Sequence, residues 1–240
     1  MECKKIGDYV LTPVVLGKGC FGTVYRGYMK NDKNKLLAVK AIPLASIKNE
    51  DIIRREIEIL LKLDNPNIVK WVFHDCRFYK PSRTKNHLYF FLEYCQQDLK
   101  SYVASKGGRL SEVEVRGILR QICNGFVDVH KKNIIHRDIK PANFLIHNGV
   151  VKIADFGFAR VVDSVDESAI LTFLGSPLYM APQVLAKEKF SSKCDVWSLG
   201  VTIYEFLYGK TPFTAKNPKE LLERILTEKL IFPDSIRRSE

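Results

Sequence analysis

Two short polar segments hold the residues whose types and spacing best suit chemistry. They are His136-Arg137-Asp138-Ile139-Lys140-Pro141-Ala142-Asn143 and Ala154-Asp155-Phe156-Gly157. Transfer of a phosphoryl group requires a carboxylate at the acceptor hydroxyl and further oxygen atoms that hold magnesium. The two segments supply both. An ordinary hairpin with aspartates in its turns is the alternative, but such a hairpin would not require the complete eight-residue string.

The stretch between these segments predicts the element that positions them. Phe144-Leu145-Ile146 and Val150-Val151-Lys152-Ile153 flank His147-Asn148-Gly149, a pattern typical of a β-hairpin. The hairpin would bring Asn143 and Asp155 together at neighbouring strand ends. Oxygen-bearing side chains at that point would suit magnesium, which prefers oxygen ligands.

Helices are predicted on both sides of this hairpin. Ser111-Glu112-Val113-Glu114 is a capping box that begins a helix with an apolar stripe. The stripe consists of Val115, Ile118, Leu119, Ile122, Phe126 and Val129. Residues 195–207 are apolar on nearly all sides, which indicates a buried helix whose early acid, Asp195, needs hydrogen-bond donors. Gly209 would end this helix, and Asn217-Pro218 would begin another.

A glycine-rich stretch near the amino terminus suits phosphate binding. Residues 9–42 contain short β-branched and aromatic runs broken by glycine, which predicts antiparallel strands. In Leu16-Gly17-Lys18-Gly19-Cys20-Phe21-Gly22-Thr23-Val24, the glycines would let backbone amides approach phosphate oxygens. Dinucleotide-binding folds share the Gly-x-Gly-x-x-Gly pattern, but there the last glycine opens a helix. Here Thr23-Val24-Tyr25 continues as a strand, which favours a phosphate-binding hairpin.

One lysine, Lys40, lies among apolar residues in the predicted strand Leu37-Ala38-Val39-Lys40-Ala41-Ile42. A solvent-facing lysine is the alternative, but a buried lysine needs an anionic partner, and the position after the glycine loop favours phosphates and a carboxylate. The carboxylate would come from a helix at residues 49–63, where apolar residues recur at helical spacing. Its acidic candidates are Glu50, Asp51, Glu56 and Glu58.

The segment before the capping box predicts a loop, a strand and a short helix. Residues 79–86 are polar and basic, which predicts a surface turn. The apolar run at residues 87–95 predicts a buried strand. Asp98 stands immediately before a predicted helix that starts at Leu99, where an aspartate can cap the first turn.

Composition limits the class of protein. With 240 residues, 46% of them hydrophobic and 27% charged, the chain can bury a substantial core, and one catalytic unit fits this length. The formal net charge of +11 would favour acidic partners. However, the basic residues are spread along the chain and often lie near acids, as in Lys187-Glu188-Lys189. We therefore expect a solvated surface and no nucleic-acid partner.

Neither the amino terminus nor the cysteine pattern suggests secretion. The first residues lack the apolar core of a signal peptide, and no apolar run reaches the length of a membrane span. We therefore expect a cytoplasmic location, with a nuclear one as the alternative. The cysteines are scattered without a Cys-x-x-Cys pair, so free thiols are expected rather than a disulfide framework or zinc site. They are Cys3, Cys20, Cys76, Cys95, Cys123 and Cys194.

These motifs, in this order, resemble the eukaryotic-type serine/threonine protein kinases over residues 9–236. The resemblance implies an α+β fold in which residues 1–240 form a two-lobed kinase domain. An antiparallel-sheet lobe with one helix would take residues 9–92, a hinge residues 93–95, and a mainly helical lobe residues 96–240. The phrases Asp155-Phe156-Gly157-Phe158-Ala159-Arg160 and Gly175-Ser176-Pro177-Leu178-Tyr179-Met180-Ala181-Pro182 are most similar to the autophagy-initiating branch.

The resemblance implies a role for each catalytic residue, with ATP and Mg²⁺ as cofactors. Asp138 would accept the hydroxyl proton, and Lys140 would neutralise charge on the moving phosphoryl group and favour serine or threonine acceptors. Asn143 and Asp155 would ligate magnesium. Lys40 would contact the ATP phosphates, and the family's Glu-Ile-x-Ile-Leu string selects Glu56 as its partner.

The same resemblance implies the nucleotide site. Leu92 would guard the adenine pocket, Glu93 to Cys95 would be the hinge, and Asp98 would contact the ribose if it does not cap the helix. The whole expected set is Leu16, Gly17, Lys18, Gly19, Cys20, Phe21, Gly22, Thr23, Val24, Ala38, Lys40, Leu92, Glu93, Cys95, Asp98 and Leu145.

An activation segment is also implied. Thr172 is the candidate regulatory phosphosite for an upstream kinase, and Arg137 would supply a cation for its phosphate. Ser176 would support Asp138 and Lys140, while Ser176 and Pro177 belong to the loop that docks the protein substrate.

Four features depart from the family pattern. Gln96-Gln97 replaces two glycines, and the segment is one residue shorter. Ala142 stands where some basophilic relatives have glutamate, and Gln183 replaces the glutamate of Ala-Pro-Glu. The chain stops at Glu240, so we expect the final helices of the large lobe to be absent, with self-association through exposed large-lobe surface.

The sequence therefore predicts a serine/threonine protein kinase. Two alternatives are a nucleotide-binding scaffold that has lost efficient transfer and a kinase fragment that folds poorly. Loss of Lys40, Asp138 or Asp155 would have favoured the scaffold, but all three are present.

Overall fold

The computed structural model describes residues 3–19, 22–47, 50–72, 82–161 and 176–233, without the side chains of residues 46 and 50–55. The chain folds as two units. The first consists of residues 1–64 and 69–96, and the second of residues 65–68 and 97–240. Among the described residues, no helix is both long enough and apolar enough to cross a bilayer.

Over its described residues, the first unit is an antiparallel sheet with one α-helix, as the resemblance implied. Its elements are β1 (Lys4–Ile6), β2 (Tyr9–Gly19), β3 (Gly22–Met29), β4 (Asp32–Pro43), α1 (Glu50–Lys62), β5 (Ser82–Arg83) and β6 (His87–Glu93). The strands lie in the order β1-β2-β3-β4-β6-β5. β5 pairs with β6, so the prediction of a surface turn is wrong for Ser82 and Arg83.

The two faces of this sheet bury different sets of side chains, because neighbouring residues of a strand point to opposite faces. On β4, Val39 packs in one cluster with Tyr89 and Phe91. Ile42 packs in another cluster with Phe90, against which Ile57 of α1 is packed. Lys40 has the same parity as Ile42, so the alternation turns it toward the face that α1 covers.

The second unit is mainly helical. Its helices are α2 (Leu99–Ser105), α3 (Glu112–Lys131), α4 (Pro182–Leu185), α5 (Lys193–Tyr208) and α6 (Pro218–Thr227). Its strands are β7 (Gln97–Asp98), β8 (Ile134–Ile135), β9 (Phe144–His147), β10 (Val150–Ile153) and β11 (Arg160–Val161). They form one sheet in the order β10-β9-β7 and a pair of β11 with β8.

Local sequence signals set the ends of these helices, as predicted. Ser111 and Glu114 form a reciprocal capping box at the start of α3. Asn217 accepts a hydrogen bond from the backbone of Glu220 at the start of α6. α5 ends at Gly209, whose φ of 74° lies in the left-handed region that favours glycine.

Helix α5 runs through the core of the second unit. Phe206 is 1% exposed and Thr202 is fully buried, whereas Val196 is 59% exposed. The helix is therefore buried along much of its length, with one apolar side chain left at the surface. Near the end of the described chain, Ile231 and Phe232 are also exposed. Self-association through such surface stays a prediction.

Candidate active site

The catalytic segment predicted from the sequence forms a tightly bonded loop in the second unit. It leaves β8 and ends in a short 3₁₀ turn at Pro141–Asn143. Asp138 is only 4% exposed. Its Oδ2 lies 2.8 Å from Lys140 Nζ and 2.9 Å from Asn143 Nδ2. Because two donors hold one carboxylate oxygen, the position of the other oxygen is fixed as well.

The β-hairpin predicted after this loop is present and links the two polar segments. β9 and β10 pair from His147 with Val150 to Phe144 with Ile153. Beyond the last pair, the backbone N–H of Ala154 donates to the carbonyl of Asn143 at 2.9 Å. Asp155 follows directly, with a φ of 61° in the left-handed region. Asn143 and Asp155 therefore stand at neighbouring strand ends.

A buried histidine makes a second link between these segments. His136 is fully buried, and its Nε2 lies 3.0 Å from the carbonyl oxygen of Ala154. A carbonyl oxygen can only accept, so Nε2 carries the proton that this bond uses. The ring also packs edge-on against Phe156, with 4.8 Å between the ring centroids. The conformation before Asp155 is thus tied to the catalytic loop.

Oxygen atoms of Asn143 and Asp155 fit a magnesium ion. The side-chain nitrogen of Asn143 donates to the backbone carbonyl of Asp138 at 2.7 Å and to Asp138 Oδ2. These bonds fix the amide so that Oδ1 is turned away from Asp138. Mg²⁺ is typically held by one or two protein carboxylates together with water and phosphate oxygens. One amide oxygen and one carboxylate match that requirement.

Asp195 of α5 binds the backbone of the catalytic loop. Its carboxylate oxygens accept hydrogen bonds from the backbone N–H groups of His136 and Arg137, each at 2.8 Å. Burial raises the pKa of Asp195, while His136 and the two backbone N–H groups act in the opposite direction. Arg137 has a φ of 70°, an unfavourable region for a side chain that these two bonds help to hold.

Ser176 lies against the same lysine as Asp138. Lys140 Nζ is 3.0 Å from Ser176 Oγ. Pro177 begins the 3₁₀ turn Pro177–Tyr179 that follows Ser176. The structure thus brings together Asp138, Lys140 and Ser176, as predicted. Thr172, by contrast, lies outside the described residues.

The predicted lysine and glutamate meet in the first unit. Lys40 Nζ lies 2.6 Å from Glu56 Oε1, and the two residues are 7% and 5% exposed. Glu58 is exposed on the same helix. The side chains of Glu50 and Asp51 are not among those that the structure describes. Among the described acids, the choice of Glu56 as the partner of Lys40 is therefore confirmed.

The glycine-rich strands form the hairpin that was predicted. Gly17, Lys18 and Gly19 of β2 face Val24, Thr23 and Gly22 of β3. A Cβ atom at Gly22 would lie 2.2 Å from the carbonyl oxygen of Ala41, so only glycine fits there. Leu16 is 40% exposed beside this pair. Cys20 and Phe21 at the tip lie outside the described residues.

The other predicted nucleotide-binding residues are distributed over both units. Ala38 pairs with Leu92 in the first unit, and Glu93 ends β6. Cys95 follows and is half-buried. None of the described cysteines, which are Cys3, Cys95, Cys123 and Cys194, forms a disulfide. Leu145 of β9 pairs with Asp98 of β7 in the second unit.

Comparison with known protein families shows which family this chain belongs to. Residues 12–238 match the family described as "Protein kinase domain". The chain belongs to this family. The α+β fold and the order of motifs that the resemblance implied are thereby confirmed.

Three relatives of the kinase domain illustrate its position within the family. It is 37% identical to serine/threonine-protein kinase ATG1a of Arabidopsis thaliana over 98% of this chain and 37% of the relative. It is 37% identical to serine/threonine-protein kinase ULK1 of Homo sapiens, over 90% of this chain and 20% of the relative. It is 39% identical to cytokinesis protein sepH of Aspergillus terreus, over 95% of this chain and 16% of the relative. The chain thus spans at most 37% of these relatives' length.

These matches agree with the predicted likeness to the autophagy-initiating branch. ATG1a and ULK1 are similar over nearly the whole kinase domain. The match to sepH is of the same strength in identity, so similarity extends to a protein named for cytokinesis. The biological process is therefore a matter for proposal.

Asp98 of the kinase domain is engaged as a helix cap. Its Oδ1 accepts from the backbone N–H of Ser101 and its Oδ2 from the Ser101 hydroxyl, both at 2.8 Å. The capping alternative for this residue is confirmed. Contact with a ribose stays a prediction.

Sequence reasoning missed one pair of contacts beside the substrate-docking loop. Tyr179 donates its hydroxyl to Glu205 Oε2 at 2.6 Å, and Ser198 donates its hydroxyl to the carbonyl of Tyr179 at 2.7 Å. Both partners lie on α5. The apolar pattern of that helix marks Ser198 and Glu205 as polar exceptions. This was the only available signal, and it does not say which residues they meet.

Proposed function

We propose that this chain transfers the γ-phosphoryl group of ATP to serine and threonine hydroxyls of proteins. The observation that carries the proposal is the bonding of Asp138, whose Oδ2 is held by Lys140 and Asn143 at 2.8 and 2.9 Å. Family membership supports it. No described catalytic residue is replaced, so nothing specific favours a non-catalytic scaffold.

Asp138 acts as the proton acceptor in this proposal. Since Oδ2 is bound by two donors, Oδ1 remains to receive the proton of the acceptor hydroxyl as its oxygen attacks phosphorus. The carboxylate needs no rearrangement for this step, because Lys140 and Asn143 already hold it. Proximity of a fixed base to the reacting hydroxyl is a large part of what an enzyme supplies to phosphoryl transfer.

Lys140 has two functions in the same step. Its ammonium contacts both Asp138 and Ser176, so its position is fixed by two oxygen atoms. A cation at that position attracts the negatively charged oxygens of the transferred group. Ser176 keeps the lysine in place and carries the start of the substrate-docking turn.

Lys40 and the glycine-rich hairpin serve the nucleotide. Glu56 holds the buried Lys40 ammonium, and a cation in that position suits phosphate oxygens. Glycine at position 22 lets β3 approach β4 closely, and backbone amides of the hairpin would cover the phosphates. Magnesium, when bound by Asn143 and Asp155, neutralises the phosphate charges. The remaining expected nucleotide contacts, from Leu16 to Leu145, stay proposals.

Regulation and biological context extend the proposal. An upstream kinase would phosphorylate Thr172, and Arg137 would bind the added phosphate. The similarity to ATG1a and ULK1 supports a cytoplasmic kinase of the autophagy-initiating branch, whereas the similarity to sepH supports a role in cytokinesis.

The decisive experiment is transfer of radiolabelled phosphate from ATP, with magnesium, by the purified chain. Three peptides that differ only in a Ser, Thr or Tyr acceptor should be compared. We expect labelling of the Ser and Thr peptides and little labelling of the Tyr peptide. The Asp138→Asn variant should label none of them. Asp128→Asn is the matched control, because Asp128 of α3 pairs with Lys132 at 2.8 Å and belongs to none of the site motifs. No labelling by the unaltered chain, or equal labelling with Asp138→Asn, would contradict the proposal.

A further inference from the structure

Helix α5 holds the turn Pro177–Tyr179 at two points. The Ser198 hydroxyl lies 2.7 Å from the carbonyl oxygen of Tyr179, and the Tyr179 hydroxyl lies 2.6 Å from Glu205 Oε2. Ser198 is 8% exposed. Burial raises the pKa of Tyr179, and the bond to Glu205 adds to this, so the phenol stays a neutral donor. One residue of the turn is thus fixed at both its backbone and its side chain.

The Ser198 hydroxyl has a second acceptor besides the one that a serine inside a helix usually uses. Such a serine commonly returns its hydroxyl to the carbonyl four residues earlier. Here that acceptor, the carbonyl of Cys194, is 3.0 Å away and the carbonyl of Tyr179 is nearer. A hydroxyl has one proton, so the shorter bond across to the turn competes with the bond within the helix.

The held carbonyl is directly connected to the catalytic residues. The backbone N–H of Tyr179 donates to the carbonyl of Ser176 at 3.0 Å, which closes the turn. The hydroxyl of Ser176 accepts from Lys140 Nζ at 3.0 Å, and that same nitrogen is 2.8 Å from Asp138. A shift of the turn at Tyr179 would therefore move Ser176 away from Lys140.

We propose that Ser198 is a positioning residue for the protein acceptor. By holding the Tyr179 carbonyl, it fixes the segment Ser176–Met180 against Lys140 and Asp138, and so it determines how well an acceptor peptide binds there. Ser198 touches neither acceptor nor nucleotide. This inference rests on the proposed kinase function. It adds to that function a residue that no catalytic motif of the sequence contains.

Ser198→Ala and Ser198→Thr separate this role from a general effect on stability. Alanine removes the donor and leaves the Tyr179 carbonyl without its partner. Threonine keeps the hydroxyl, and its additional methyl has space because Ser198 lines a cavity together with Met180, Val184 and Phe190. Thr202→Val is the matched control. Thr202 is fully buried one turn further along α5, and its hydroxyl donates to the Ser198 carbonyl at 2.9 Å.

The experiment measures KM for a serine peptide, KM for ATP and the rate of ATP hydrolysis without peptide. We expect Ser198→Ala to raise the peptide KM roughly five- to tenfold, the size that follows from one lost buried hydrogen bond. The two nucleotide parameters should stay within about twofold, since no bond to Lys140 or Asp138 is removed directly. Ser198→Thr should restore the peptide KM. Thr202→Val should lower the melting temperature without changing the peptide KM.

Several outcomes would overturn the inference. An unchanged peptide KM in Ser198→Ala would do so, and so would an equal rise in the peptide KM and the ATP KM. A similar peptide effect in Thr202→Val, or no rescue by Ser198→Thr, would show that the loss is merely structural. If the unaltered chain transfers no phosphate, the proposed function fails and this inference fails with it. An active chain with an unaffected Ser198→Ala variant contradicts the positioning role alone.

Discussion

Lys40 and Glu56 form a buried ion pair, with 2.6 Å between Lys40 Nζ and Glu56 Oε1. The side chains are 9% and 6% exposed, so water screens neither charge well. The two charges therefore stabilise each other in a poorly solvated environment. Such a pair is weak support for stability as a whole, but removal of one member is costly because the other buried charge loses an opposite charge at hydrogen-bond distance.

Glu56→Ala should therefore destabilise the chain, by about 3 kcal/mol or more if Lys40 stays charged in place. It should also raise the KM for ATP, because the freed lysine is no longer held for the phosphates. Urea unfolding and steady-state kinetics would measure the two effects. Glu58→Ala is the control, since Glu58 is exposed two residues along the same helix. Equal effects of the two substitutions would show that the pair has no special role.

Asp138→Asn and Asp155→Asn should fail in different ways. Asp138 serves the acceptor, so its variant should lose transfer by a factor of about 100 or more while it binds the magnesium–ATP complex normally. Asp155 offers its carboxylate to magnesium, so its variant should lose both transfer and nucleotide affinity. Binding of a fluorescent ATP analogue, titrated with magnesium, distinguishes them. Near-normal turnover by Asp138→Asn in a single-turnover assay would refute its role as base.

Asp195→Asn should disorganise the catalytic loop. An asparagine side chain has one oxygen, so one of the two backbone N–H groups of His136 and Arg137 would face an amide nitrogen instead of an acceptor. We expect a loss of about 1–3 kcal/mol in stability, together with a fall in kcat. Thermal unfolding and kinetics would test this. Glu220→Gln, on α6, is the control, because Glu220 is partly exposed and its bonds to Lys216, Asn217 and Arg224 do not involve the catalytic loop. Normal kcat in Asp195→Asn would show that the loop does not depend on this anchor.

Ala142 predicts weak selection for a basic residue in the substrate. The side chain is exposed between Pro141 and Asn143, and it supplies no carboxylate. Peptides with Arg or Ala two residues before the acceptor should therefore react similarly. Ala142→Glu should favour the Arg peptide by at most about fivefold, since an exposed ion pair contributes about 0.2–1 kcal/mol. A dominant arginine requirement in the unaltered chain would contradict this expectation.

Phosphorylation of Thr172 should raise activity. The phosphate adds a charge of about −2 at neutral pH, and Arg137 can bind it through charge-assisted hydrogen bonds. The rates of dephosphorylated protein, phosphorylated protein and Thr172→Ala should be compared at equal concentration. The phosphorylated form should have the highest rate, and the dephosphorylated protein and Thr172→Ala should have equal rates. Equal rates for all three would dismiss the switch.

Features that depend on neighbouring residues could be predicted from the sequence alone. Ser111 and Glu114 cap a helix because they are three positions apart, and Gly209 ends one because glycine adopts a positive φ without strain. Asn148-Gly149 closes the hairpin for the same local reason. These short-range rules, with the motifs, were sufficient to predict the family and to place Asn143 and Asp155 together.

Which distant side chains meet depends on three-dimensional packing. Helical spacing left four acids of the predicted α1 region as candidates for Lys40, and the family resemblance selected Glu56; the packing of that helix on the sheet brings Glu56 to Lys40. Asp98 was open to two interpretations until the position of Ser101 showed it to be a cap. Ser198 meets Tyr179 across 19 residues of chain, and Asp195 meets His136 across 59. No local rule fixes such contacts, because they depend on how every helix of the unit packs at once.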